Sequence, residues 1–198
     1  MKFKKVMGII ALLSIVIVSG CGQELKSVNI KQEADTNNLE DNQETKGSTK
    51  DKIGSTTILY KKEFSTEKPE LSNFKKGISF DLSDYAKDFF MQDIADKIVN
   101  NMEAIVQHNE KKFKENMLDD GSIEFNMDWF GYKYEDGVKF EFKDVNEITY
   151  DEDVKRIQII VTFLRNIKDK EVEQGTMTYS LLKDKVSGQW LIATMDGN

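Results

Sequence analysis

The chain has 198 residues, of which 32% are charged and 39% hydrophobic, and its mean hydropathy is negative. This fits one ordinary domain plus appendages and excludes a polytopic membrane protein. Acids outnumber bases 35 to 28; the first twenty residues hold three lysines and no acid, so beyond them the balance is 35 to 25 and the net charge −10.

A field of that sign does not attract nucleic acid or anionic lipid, so neither is an expected partner. The only arginines are Arg156 and Arg165, which leaves few bidentate phosphate clamps. Cys21 is the sole cysteine and His108 the sole histidine. An internal disulfide framework, a zinc site built on several thiolates and most histidine-based metal sites are therefore excluded, and no metal or other cofactor is expected.

The amino terminus carries the clearest pattern. Lys2, Lys4 and Lys5 precede an apolar run, Val6 to Val18, broken only by Gly8 and Ser14. Small residues Ser19 and Gly20 then lead into Cys21. This is the layout of a secretory signal peptide over residues 1–20. The run is short of the about 20 residues that cross a bilayer. The stretch Val18-Ser19-Gly20-Cys21 resembles the lipobox of bacterial lipoproteins, with Val18 where leucine is usual. The resemblance implies diacylglycerol on the Cys21 thiol, acyl chains such as palmitate, and cleavage that makes Cys21 the new amino terminus. It also implies a place on the outer face of the cytoplasmic membrane. A plain secretory signal or an uncleaved anchor is the alternative, but neither explains why the sole cysteine stands at the cleavage point.

From Gly22 to about Asp51 the residues are polar and charged, with isolated Leu25, Val28, Ile30 and Leu39. No period of 2 or 3.6 gives a face to bury, so the stretch is predicted to be disordered. Residues 21–73 together read as a lipid-anchored flexible tether, which as a coil would average about 40 Å of reach. Within it, Thr56 to Tyr60 is β-prone: either an edge strand docked on the later sheet or a sticky patch in the tether.

Residues 74–198 read as the globular domain. Asp81 or Ser83 can cap a helix. Tyr85, Phe89, Ile94, Ile98, Met102 and Ile105 recur as one apolar stripe of an amphipathic helix. Asn109 can cap a second, short helix that carries Phe113 and Met117, with Gly121 as its left-handed stop. After Gly121 the period changes to two at Ile123, Phe125 and Met127, which predicts a strand, and Trp129 to Tyr134 is rich in aromatics. Asp136-Gly137 signals a hairpin before Val138, Phe140 and Phe142. Long strands follow over 154–167 and 176–183, and a last one over 189–195.

Helices first and then an antiparallel sheet is an α+β plan. The element order, the helix over 109–118 and the closing Gly188-Gln189-Trp190-Leu191-Ile192 resemble the nuclear transport factor 2-like superfamily. That resemblance covers about residues 83–196 and implies N-terminal helices packed on a curved, cone-like sheet. A cystatin-like helix-on-sheet domain is the runner-up.

No catalytic motif stands in the sequence: there is no G-x-S-x-G, no phosphate-binding glycine loop and no H-E-x-x-H. No catalytic residue is therefore assigned. His108 sits where the first helix ends and is expected to face water or helix-end carbonyls. Asp119-Asp120-Gly121 and Asp151-Glu152-Asp153 lack the ligand spacing of a calcium loop and read as solvated turns. Cone-shaped relatives hold ligands between helix and sheet, and the resemblance makes Trp129, Tyr132, Tyr179 and Trp190 candidate pocket-lining residues. The competing expectation, favoured for Trp129 and Trp190, is that these rings fill the core. In an enzyme, Asp128 or Asp144 would stand against the hydroxyl of Tyr132 or Tyr179 in a dry cavity. The expected function is a membrane-anchored, non-catalytic binding or assembly module of the cell envelope. Its partners would be the membrane through Cys21 and either another envelope protein or a small apolar ligand. The alternative is a small-molecule-binding or isomerase- or hydrolase-type enzyme that uses the cone pocket; a two-lobed solute receptor would need a longer folded part.

Overall fold

A computed structural model describes residues 51–133 and 137–197. The expected signal peptide, Cys21, most of the tether, Tyr134 and Asp136 lie outside the described residues. The domain is mixed α+β. Strands β1 (Asp51–Ile53), β2 (Thr56–Lys61), β4 (Val138–Asp151), β5 (Arg156–Ile167), β6 (Glu171–Lys183) and β7 (Trp190–Gly197) form one open antiparallel sheet in the order β1-β2-β4-β5-β6-β7. Two-residue β3 (Gly77–Ile78) adds parallel to β4 beside Glu141 and Phe142. Helices α1 (Gln92–Gln107), α2 (Glu110–Phe113) and α3 (Asp120–Lys133) lie between β3 and β4 in the chain.

Each long strand alternates apolar with polar side chains, so the sheet has one apolar face. Phe142, Ile148, Ile157, Ile159, Val161, Tyr179, Leu181 and Ile192 are fully buried on it, in one cluster with Ile94, Ile98, Met102 and Ile105 of α1. Two register shifts in β4 leave Lys143 and Asn146 without opposite residues on β5. Bulges of this kind bend the strand and raise its twist.

Three sequence expectations are corrected. First, α1 begins at Gln92, so Tyr85 and Phe89 are not on it. Asp81 caps only a 3-10 turn, Leu82–Tyr85, and Asp88 in the left-handed region (φ 53°) separates that turn from the helix. Second, the strand expected at 123–127 is α3. Asp119 Oδ1 accepts from the Ser122 N–H at 2.7 Å and starts the helix where a stop was expected. Ser122, Asn126 and Phe130, four apart, are its buried face, whereas Phe125 is 57% exposed. The alternation of Ile123, Phe125 and Met127 is therefore incidental. Third, β1 and β2 lie inside the stretch assigned to the tether; β2 pairs with residues 147–151 of β4 through the segment 56–61.

Hydrogen bonding by Ser122 holds the Asp119 carboxyl below its ordinary value of 3.8. The cap therefore contributes stability at every pH above that value, lost as pH falls through the lowered one. Asp119→Ala is expected to lower the melting temperature at pH 7 and to leave it unchanged at a pH where the native carboxyl is protonated; thermal melts at the two pH values check this.

Both edges of the sheet are managed. On β7, Ile192 N–H donates to Asn116 O and Leu118 N–H to Ile192 O, both at 2.9 Å. Further along, the Asn126 side chain accepts from Met195 N–H at 2.7 Å and donates to Ala193 O at 3.3 Å. A single amide thus stands in for a neighbouring strand and closes the edge. The opposite edge, β1, is only three residues long.

The second face of the sheet is crossed by residues 62–79. Lys62 N–H donates to Asn146 O at 2.7 Å on β4, and Gln174 Nε2 on β6 donates to Ser65 O at 3.2 Å. The segment returns to β4, where Glu141 accepts from Lys75 N–H at 2.6 Å and from Ser79 Oγ at 3.0 Å. Thr162, Leu164 and Glu141 are buried on this face, as are Asn146, Thr149, Asn166 and Ser180.

Candidate functional site

Of the candidate pocket residues, Tyr179, Trp129 and Trp190 stand at separate places along the sheet. Tyr179 is wholly buried in mid-strand, and its phenol donates to Asn101 Oδ1 of α1 at 3.2 Å. Asn101 Nδ2 passes the link to Phe113 O at 3.2 Å. Burial pushes the Tyr179 phenol far up, so it stays protonated. Tyr179 is thus a satisfied core residue that fastens β6 to α1. Tyr179→Phe leaves Asn101 Oδ1 without that donor and should cost about 1–2 kcal/mol. A urea midpoint equal to that of the unaltered protein would contradict this role.

Trp129 lies at one end of β7. Its indole Nε1 is buried without a hydrogen-bond partner, and a Cβ on Gly197 would come within 2.6 Å of it. Only glycine leaves room there. Phe140 and Phe163 complete this group, with ring centroids 6.2 and 6.5 Å from Trp129. Trp190 lies at the other end of the sheet. Gly197 pairs with Met177 and Trp190 with Lys183, six residues apart on β6, or roughly 20 Å. For Tyr132 the structure describes the backbone, in α3, and not the side chain.

Nor are the carboxylate–phenol pairs that involve Tyr179 assembled. Tyr179 meets an amide rather than Asp128 or Asp144, and Asp128 stands on the exposed face of α3. Asp144 pairs with Lys62 beside the strap. The tyrosine it influences is Tyr85, which stacks edge-on to Tyr60 at 4.7 Å. Burial, then the charge and hydrogen bond of Tyr60, push the Tyr85 phenol up. His108 caps α1 in the left-handed conformation, exposed, with its ring 5.2 Å from Phe130. Asp119 and Asp151 accept backbone N–H groups of their own turns. Among the described residues, no three His, Cys, Asp or Glu side chains converge to hold a metal ion, and no helix is long and apolar enough to cross a membrane.

A different group of rings is brought together. Phe89, ahead of α1, packs on Tyr150 at the end of β4, with centroids 5.5 Å apart. Tyr150 meets Trp190 edge-to-face at 6.2 Å and 88°. Lys183 Nζ lies 5.9 Å over the Trp190 ring. All three rings are half-buried against the core. Sequence reading missed the group because Phe89 was placed on a helix stripe. The ladder pairing that aligns the ends of β4 and β7 could not be read from either strand alone.

The fold and this group define an α+β domain with an aromatic cluster at one end of its sheet. No protein-family model, no curated protein and no solved structure matches the chain.

Proposed function

We propose that the chain is an extracytoplasmic lipoprotein, held to the outer face of a bacterial cytoplasmic membrane by lipid on Cys21. In this reading it acts as a non-catalytic binding or assembly module of the cell envelope. The observation that carries it is Val18-Ser19-Gly20-Cys21 directly behind a basic and then apolar leader, with no other cysteine in the chain. Two acyl chains, at about 0.8 kcal/mol per buried CH₂, give a stable anchor where one does not. The sheet begins at Asp51, so the part of the expected tether that precedes it is 21–50. Helices followed by the β4–β7 meander support reading the domain as a cone of the nuclear transport factor 2-like kind. The core role of Tyr179 and the separation of Trp129 from Trp190 support binding over catalysis.

Cells fed labelled palmitate test the anchor. The unaltered protein should carry label in the membrane fraction, and Cys21→Ala should carry none. Label retained on Cys21→Ala would place the lipid elsewhere and end this reading of the leader. Photo-crosslinking on intact cells tests the module; recovery of no partner and no ligand would count against it.

A further inference from the structure

We propose that the end of the sheet carrying the β1–β2, β4–β5 and β6–β7 turns rests on the lipid bilayer, with Ile53, Val154 and Val186 dipping into its interfacial layer. The proposal rests on the lipoprotein reading and names the surface that the domain meets once Cys21 carries its lipid.

Seven large hydrophobic residues are exposed among the described residues, and three of them stand at hairpin turns. Ile53, the last residue of β1, is 70% exposed; Val154, between β4 and β5, is 54% exposed; Val186, between β6 and β7, is 96% exposed. Turns ordinarily carry polar residues, glycine or proline, and a β-branched side chain suits a strand better. At that exposure Val186 buries almost nothing in the domain, so folding does not account for it. Ladder register puts the three turns at one end. Thr56 pairs with Asp151, Asp151 with Arg156, Arg156 with Leu182, and Lys183 with Trp190. The Glu152 N–H also donates to Ser55 O at 3.0 Å, which joins the first two turns. With neighbouring strands about 4.8 Å apart, each turn stands roughly 10 Å from the next. The β5–β6 turn, at the opposite end, is Lys168-Asp169-Lys170 and carries no apolar residue.

Two further observations say what covers these tips. The first is where the chain enters. The sheet begins at Asp51, two residues or about 7 Å from Ile53, so residues 21–50 lead from Cys21 to this end of the sheet. The second is charge. Residues 151–156 and 183–187 hold four acids and four bases, a balance of zero in a chain whose net charge beyond residue 20 is −10. The negative charge therefore lies elsewhere, and this end is the one that a lipid surface repels least. Lys155 follows Val154 and Lys185 precedes Val186, and both lysines are exposed. A lysine beside an inserted aliphatic residue lays its stem along the acyl boundary and keeps its ammonium among the headgroups. A protein partner would call for a continuous apolar centre. Three aliphatic tips set apart by charged residues do not make one, whereas a bilayer interface takes up each tip by itself.

The test uses the full mature chain, extracted from cells with detergent and reconstituted into phosphatidylcholine vesicles. With lipid on Cys21, the chain has no other thiol, so Ile53→Cys, Val154→Cys and Val186→Cys each take a single environment-sensitive dye. Phe125→Cys, exposed on α3, is the control. Dye at each of the three tips should be about 2-fold or more brighter than at position 125. Lipid carrying a nitroxide near its headgroup should quench the three tips and not the control. The contact is apolar, so raising salt should leave the quenching unchanged. Val154→Asp with Val186→Asp, both at exposed positions, should return a dye at position 53 to water. Equal dye response at all four positions, quenching at 125 alone, or quenching at 53 that survives the two aspartates would overturn the proposal. If the protein still floats with the vesicles in those cases, the lipoprotein reading stands. Unquenched tips together with a protein trapped by a photo-crosslinker at position 186 in intact cells would assign this end to a protein partner and overturn the proposal. Dye uptake by the chain without an added cysteine would mean a bare Cys21 and would remove both readings.

Discussion

Replacing Asn126 by alanine is expected to lower the stability of the domain by about 3–5 kcal/mol, the largest effect of any polar substitution in the fold. Asn126 is wholly buried, and its amide meets both the Met195 N–H and the Ala193 carbonyl on the outer edge of β7. Its Nδ2 also lies 3.3 Å from Met117 Sδ. Truncation strands two backbone groups where water does not reach, each at about 1–3 kcal/mol, and leaves a void besides. A domain of this size has about 5–15 kcal/mol in total, so the variant should be near the limit of folding. Asn126→Asp is a sharper probe. It keeps the acceptor for Met195 but loses the donor to Ala193 and buries a charge, so it should be no better than alanine. Urea unfolding measures both, and a loss below about 1 kcal/mol for Asn126→Ala would show that the β7 edge is closed by something else.

Glu141→Ala should be the second largest, at about 2–3 kcal/mol, because hydrogen bonds to charged groups exceed neutral ones. The Glu141 side chain is 4% exposed and is the point where the returning strap is tied to β4. The loss should be local as well as global. Amide exchange at Lys75 and Ser79 should speed up, and trypsin should cut at Lys75 or Lys76 in the variant before it cuts elsewhere. Glu141→Gln keeps an acceptor and should fall between the two. Unchanged exchange at Lys75 in Glu141→Ala would contradict the strap's attachment there.

The sheet was legible in the sequence because its long strands alternate over much of their length and are separated by polar turns. Ile157, Ile159 and Val161 show their buried face in their spacing alone. Asn109 was legible as a cap for the same reason: capping is a bond within four residues, here to Lys112 N–H at 3.1 Å. Helix α3 was not legible. Its apolar residues surround it, and Asp119-Asp120-Gly121 suits a helix end as well as a start. The tertiary contact of Asn126 with β7 joins the Asp119 cap in favouring the start. The strap was not legible either, since its bonds join residues as distant as Ser65 and Gln174. The same holds for the aromatic cluster. Phe89, Tyr150 and Trp190 meet through ladder pairing, and no local pattern marks them as neighbours.

The most direct measurement is the mass of the amino-terminal peptide of the protein extracted from cells with detergent. A peptide that begins at Cys21 and carries diacylglycerol on its thiol is the expected result. A peptide that retains residues of the Val6–Val18 run, or that begins at an unmodified Cys21, would contradict the lipoprotein reading.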